Sequence, residues 1–193
     1  MSKSRLEAFS DGIFAIIITI MVLDIRIPHS GHWRALLEPA FYHPVLAYSI
    51  SFLLVTSFWV SHHSMLLDLK LVDRTVLWVN ILALFPISLL PITTEWFGEF
   101  PNAVAPSIVY GIVYMLTVLA LYLLSLVIAQ RVDPVERAIM HRTNRVRLIF
   151  LAVGTLGIGL AFLIPYIIGF VIFVITVTWL IWTVKVTKYR MDD

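Results

Sequence analysis

The chain has 193 residues, 60% of them hydrophobic and only 13% charged, with a formal net charge of +2 and a mean hydropathy of +0.94. A soluble globular domain carries roughly 25% charged and 45–50% apolar residues. This chain therefore lacks the polar surface to coat itself in water, and the composition defines an integral membrane protein. Cysteine is absent, which excludes disulfides and thiolate metal sites.

A helix crosses the ~30 Å of bilayer hydrocarbon with about 20 mostly apolar residues, and six stretches qualify. The first is 9–27, ended by Pro28 and the loop HSGHWR. Lys3 and Arg5 ahead of it imitate a signal peptide. The apolar run is too long for one, and no small-residue cleavage pattern precedes Asp24 and Arg26, so it reads as an uncleaved span. The second is 43–67, and the third, 75–96, is closed by EWFGEFPN. The fourth is 103–129. The basic stretch QRVDPVERAIMHRTNRVR reads as a loop leading to the fifth, 146–163, and Pro165 marks a turn into the sixth, 166–186. Membrane strands would be ~10 residues long and would alternate apolar with polar. AIIITIMVL and VIFVITVTWLIWTV do not alternate, so the fold class is all-α.

Cytoplasmic segments of membrane proteins carry the excess of Lys and Arg. With the N-terminus inside, that side holds twelve: Lys3, Arg5, Lys70, Arg74, Arg131, Arg137, Arg142, Arg145, Arg147, Lys185, Lys188 and Arg190. The outer loops hold two, Arg26 and Arg34. Both termini are then cytoplasmic, and Trp33, Trp78, Trp96 and Tyr42 fall near span ends as interfacial aromatics. Residues 1–193 read as a single membrane domain without a soluble module. The first and last three spans show no convincing repeat, which argues against an inverted-repeat transporter. Six helices are few for an internal pathway, so a pathway between subunits is the more natural expectation.

Polar residues within spans mark function in membrane proteins. Arg5, Phe9, Ser10 and Asp11 sit at the mouth of the first span, where helix capping by Ser10 or Asp11 is the plainest account. The second span ends in WVSHHS: Trp59, Ser61, His62, His63 and Ser64. Adjacent histidines point about 100° apart on a helix, which makes His62 and His63 poor joint ligands for one metal and better hydrogen-bond partners of neighbouring helices. Asn80 lies one turn into the third span from the same side, so Asp11, a histidine and Asn80 share a depth. A polar knot there would satisfy Asp11 and lock the first span to its neighbours.

Enzyme motifs are missing: there is no HExxH, GxSxG, nucleophile–base pair or phosphate-cradling loop. His29, His32 and His43 lie in or near the outer loop without thiolate or carboxylate company, and neither a metal site nor a cofactor is expected. The basic stretch from Arg131 to Arg147 fits topology and anionic lipid rather than nucleic acid. Gly154 to Gly159, GTLGIG, gives the small-residue spacing of close helix approach. Ile16, Ile20 and Leu23 recur at i, i+4 and i+7 and share one face of the first span, with Gly12 and Thr19 beside them. Periodicity alone leaves open whether that face meets lipid, protein or water, and ordinary packing is the default.

The pattern Arg5-x-x-x-Phe9-Ser10-Asp11 before an Ile/Thr-rich span resembles the signature of the endolysosomal potassium channel family (transmembrane protein 175), in its short prokaryotic form. Trp59-x-x-His62-His63 and Asn80…Leu89-Leu90-Pro91 resemble the family's patterns in spans two and three. The resemblance covers the first half of the chain; spans four to six agree in number, length and orientation only. It implies a homotetramer of six-helix subunits in the plasma membrane, with the first span of each lining a central pore. It implies a potassium-permeable channel without a carbonyl filter, and no TVGYG-like loop occurs here. Carried over by distance from Asp11, Ile16, Ile20 and Leu23 become the apolar constriction and Thr19 the residue tied to ion preference. Arg5, Phe9, Ser10, Asp11, Trp59, His62, His63 and Asn80 then anchor the pore helix. Two rivals remain at this stage: a proton path through the Asp/His cluster, and a small secondary transporter.

Overall fold

The computed structural model describes residues 2–67, 69 and 71–191, with backbone alone from 184 onward. Lys70 and the side chains of Lys185, Lys188 and Arg190 thus lie outside the described residues. The described residues form helices and no strands: α1 (Lys3–Met21), α2 (Pro39–Leu67), α3 (Arg74–Ser88), α4 (Leu90–Glu99), α5 (Val104–Ala129), α6 (Pro134–Ala161) and α7 (Ile167–Met191). Short 3-10 turns at Val22–Asp24 and Trp33–Leu37 shape the loop after α1. By length and composition, Lys3–Asp24, Pro39–Leu67, Arg74–Glu99, Val104–Ala129 and Pro134–Ala161 are long and apolar enough to cross a membrane, and Ile167–Thr183 is a shorter apolar helix.

Three elements differ from the sequence expectation. α1 begins six residues early, at Lys3, because Arg5, Leu6, Glu7 and Ala8 are all good helix formers. Ser10 and Asp11 therefore stand inside the helix and cap nothing. The third span is broken at Leu89, whose N–H turns to Pro86 O at 3.2 Å. Pro91 has no N–H to continue the ladder and its ring crowds the carbonyl four residues back. The stretch read as a basic loop is helical from Pro134: Asp133 accepts from Val135 N and Glu136 N at 3.1 Å each, and Pro134 and Glu136 complete the N-terminal signal.

α5 is central, packed against α3, α4, α6 and α7, and buries Tyr110, Tyr114, Leu121, Leu124 and Ile128. Helix association in lipid relies on close contact rather than on expulsion of water, and glycines supply it. A Cβ on Gly154 would fall on Met115 Sδ of α5, whereas one on Gly157 would meet Val171 Cγ1 of α7 at 3.0 Å. Gly159 faces open space, so only part of GTLGIG serves the packing. The tightest site involving branched side chains is Gly111, where a Cβ would sit 2.8 Å from Ile158 Cγ1 and 3.0 Å from Ile168 Cδ1. Overpacking of this kind costs about 1–3 kcal/mol. Gly111→Val is expected to lower the Tm of the detergent-solubilised protein by roughly 2–12 °C, at 2–4 °C per kcal/mol for a chain of this size; thermal unfolding reads it directly.

α1 packs on α2, α3 and α4 and lies at the edge of the bundle. That position sets up the site.

Candidate functional site

α1 has two distinct faces. Leu6, Ser10, Phe14, Ile17 and Met21 are buried against the bundle. The opposite face carries Arg5, Phe9, Gly12, Ile16, Thr19, Ile20 and Leu23, all exposed. Ile16 is 58% exposed, Ile20 45% and Leu23 77%. The stripe is apolar, continuous along the helix and covered by no other described residue of the chain, so it is free to meet lipid, a partner or a lumen. Thr19 Oγ1 donates to its own helix, 2.9 Å from both Ala15 O and Ile16 O. Its hydrogen is therefore engaged, and its lone pairs are left for an outside donor or cation.

The buried face is held by a directed chain of hydrogen bonds. Ser10 Oγ donates to Leu6 O at 2.9 Å, which leaves its lone pairs to accept Asn80 Nδ2 at 3.0 Å. Asn80 then presents Oδ1 to His62 Nε2 at 2.6 Å. With the amide nitrogen committed to Ser10, His62 must donate from Nε2, which fixes its tautomer. Ser10, His62 and Asn80 are all buried, and the Phe14 ring tilts against the His62 ring with centroids 5.5 Å apart. The chain ties α1 to α3 and α3 to α2.

A second tie runs straight from α1 to α2. Trp59 Nε1 donates to Asp11 Oδ1 at 2.8 Å, and the His63 ring stacks on Trp59 at 5.6 Å and 23°. The half-buried carboxylate is thus satisfied by an indole N–H, a partner that sequence depth alone could not single out. His62 and His63 serve different sides of α2, in line with their separation of about 100°. Arg5 joins neither tie: it is exposed and makes no ion pair or hydrogen bond among the described residues. Phe9 likewise lies on the open face, 49% exposed. The sequence grouped both with the anchor; the structure leaves them outside its bonds, because they occupy the far side of α1.

Around this end sit further polar contacts that no sequence pattern pairs. Lys3 Nζ donates to Leu67 O at 2.5 Å, closing the carbonyl end of α2 with the start of α1. Asp73 caps α3 by accepting from Val76 N at 2.8 Å, and it receives Arg131 Nε and Nη2 at 2.9 and 2.7 Å. The Val76 N–H first, and Arg131 second, hold the Asp73 carboxyl below the usual carboxylate range. A lowered folded-state pKa contributes stability above the unfolded value, lost as pH falls through the folded one. The Tm difference between wild type and Asp73→Ala is therefore expected to persist from neutral through mildly acidic pH. It should disappear only below the ordinary aspartate range, which a pH series of melts would show.

Arg147 departs from its sequence placement among cytoplasmic loop cations. It lies within α6 and is only 4% exposed, pointing to Ser61 of α2. At the other end of the bundle, a cavity of about 410 Å³ opens among Met21, Asp24, His29, Glu38, His43 and Glu99. Among the described residues, no three His, Asp or Glu side chains group as metal ligands.

Fold and site together define a multi-span, all-helical membrane protein whose first helix is bonded on one face and open on the other. Residues 5–91 match the family model of the endosomal/lysosomal potassium channel TMEM175. The chain is 39% identical over 200 residues to a potassium channel of Chryseobacterium sp. (strain P1-3), with 100% of both chains covered. It is 37% identical over 113 residues to the endosomal/lysosomal proton channel TMEM175 of Gallus gallus, covering 52% of this chain and 22% of that one. The crystal structure of a lysosomal potassium-selective channel TMEM175 homolog from Chamaesiphon minutus superposes with a TM-score of 0.82, covering 93% of this chain and 96% of that one at 24% identity, and so shares the fold. This chain belongs to the TMEM175 family. The matched stretch contains α2 and α3 whole and α1 from Arg5 onward, and therefore every residue of the anchor.

Proposed function

We propose that this chain is a potassium-permeable cation channel of the plasma membrane. It works as a homotetramer with both termini cytoplasmic, its pore lined by α1 from each subunit. The observation that carries the reading is the two-faced α1: an apolar stripe of Ile16, Ile20 and Leu23 left uncovered, opposite a face locked by Ser10, Asp11, His62 and Asn80. Four copies around an axis bring those stripes together. The relatives' names support potassium as the permeant ion.

Rings of isoleucine or leucine offer an ion no replacement for its hydration shell, and narrow apolar rings gate by dewetting. No TVGYG-like loop occurs in the sequence, which fits a channel without a carbonyl filter. Preference for potassium then follows from the lower dehydration cost of the larger cation, with the Thr19 hydroxyl oxygen as the polar group within the apolar stretch. The Asp11–Trp59 and Ser10–Asn80–His62 ties fix the rotation of α1, and so decide which side chains face the lumen.

The test is the reversal potential of purified protein in a planar bilayer with potassium on one side and sodium on the other. A shift towards the potassium equilibrium potential supports the reading. The proton channel of Gallus gallus among the relatives gives weight to a proton path; a reversal potential that follows the pH gradient instead would select it. Saturating flux far below channel rates, coupled to a second solute, would select a transporter, a class that the break at Leu89 keeps in view.

A further inference from the structure

Between α2, α5, α6 and α7 lies a small cavity of about 20 Å³, lined by buried residues that include Ser57, Ser61, Tyr114, Arg147, Thr176 and Trp179. Arg147 is the charge in it. Its Nη1 donates to Asn144 Oδ1 at 2.6 Å and its Nη2 to Ser61 Oγ at 2.7 Å, with Met65 Sδ at 3.7 Å. The guanidinium carbon stands 5.3 Å from the centroid of the Trp179 ring. None of these partners carries negative charge. The ion pairs among the described residues are Lys3–Glu7, Arg26–Glu99 and Arg131–Asp73, and among those residues Arg147 pairs with no carboxylate. A buried, uncompensated cation in a membrane bundle is costly, and natural bundles pair such groups.

The neighbouring polar groups are short of an acceptor, too. Asn144 Nδ2 and Thr176 Oγ1 are buried and without a hydrogen-bond partner, and the Tyr114 hydroxyl makes no hydrogen bond among the described residues. Thr176, 2% exposed, lines the cavity itself. A threonine in an apolar helix ordinarily returns its hydroxyl to its own backbone, as Thr19, Thr117 and Thr155 do here. Thr176 does not. Ser61 accepts from Arg147, which leaves its own hydrogen to give. The cavity thus holds Arg147, Ser61 and Thr176 as polar groups with hydrogens to give, within a lining that is otherwise mostly apolar, and its volume admits one water-sized particle.

We propose that this cavity binds a single monoatomic anion, chloride in ordinary salt, as the counter-ion of Arg147. Water would accept the same hydrogen bonds but would leave the charge unbalanced. Phosphate, sulfate and carboxylates exceed the volume. The site lies on the far side of α2 from the Asn80 chain, with Ser61 and His62 adjacent on that helix, so occupancy would brace the anchor from behind.

Two readouts on the full-length protein test the proposal. Crystals grown with potassium bromide are expected to show an anomalous peak in the cavity within hydrogen-bonding distance of Arg147. An unchanged water-sized feature in chloride and bromide, or an empty cavity, overturns it. In detergent, exchanging gluconate for chloride at constant ionic strength should raise the Tm saturably, by about 3 °C where chloride reaches some ten times its dissociation constant. Thr176→Val should shift the chloride midpoint upward by roughly tenfold, and Arg147→Gln should abolish the dependence. A wild-type Tm indifferent to chloride, or a midpoint unmoved by Thr176→Val, counts against the anion whether or not Arg147→Gln folds.

Discussion

Ile16→Asn is expected to raise single-channel potassium conductance by roughly tenfold and to bring sodium permeability closer to that of potassium. Ile16 is the deepest of the three stripe residues from the α1 C-terminus, one turn from Ile20, and more than half of its surface is open. In a tetramer of the proposed geometry its four copies form a ring of methyl groups. A cation crossing that ring sheds part of its hydration and gains almost nothing in return, and a dry constriction adds the cost of wetting it. Carboxamides at the same positions hold water and offer oxygen ligands. A barrier lowered by about 1.4 kcal/mol gives the tenfold change, and the ions that regain most are the smaller and more tightly hydrated, so selectivity falls as conductance rises. Single-channel recording under potassium and then under bi-ionic conditions measures both. Higher conductance with unchanged preference would remove Ile16 as the selecting residue and move that role to Thr19. No change in either would place the constriction at Ile20 or Leu23.

The stripe could be named from periodicity but assigned to a lumen only through the family resemblance, because in a span where nearly every residue is apolar the period of 3.6 has no polar face to contrast with. What distinguishes Ile16 from Ile17 is packing: Ile17 is buried against the bundle and Ile16 is not. The anchor was more legible. Ser10, Asp11, His62 and Asn80 are polar groups placed at one depth in a medium that penalises unpaired polarity, so their association follows from depth alone. Which pairs with which does not: Asp11 takes Trp59, and the histidine takes Asn80. Local signals explain the remaining departures. Asp133-Pro134-Val135-Glu136 is a complete helix start hidden inside a stretch whose charge suggested a loop, and Pro86 and Pro91 mark the break at Leu89. Arg147 was misplaced because a count of Lys and Arg by loop cannot see a side chain that turns inward along a long helix.

Asn80→Ala is expected to destabilise the subunit by about 1–3 kcal/mol and to lower the yield of intact, conducting protein. The magnitude follows from the position of Asn80 in the chain. It is 0% exposed and bridges two partners that have no alternative. Its removal strands the His62 Nε2–H and opens a void. A stranded buried donor costs about 1–3 kcal/mol, although interhelical hydrogen bonds in membrane bundles average nearer 0.6 kcal/mol, which keeps the expectation below the sum of two lost bonds and a cavity. Ser10→Ala should cost less, because the Ser10 hydroxyl is bonded first to its own backbone at Leu6 and the loss strands only one Asn80 hydrogen. A double-mutant cycle of Asn80→Ala with His62→Phe, read by thermal unfolding in detergent, should give a coupling above ~0.5 kcal/mol, as residues in direct contact do. Activity separates anchoring from mere stability. If the chain fixes the rotation of α1, the surviving Asn80→Ala channels carry altered conductance, whereas the Gly111→Val protein, destabilised on the other side of the bundle, conducts like wild type once folded. Equal conductance in both would leave Asn80 a packing residue and release α1 from any orienting role of the chain.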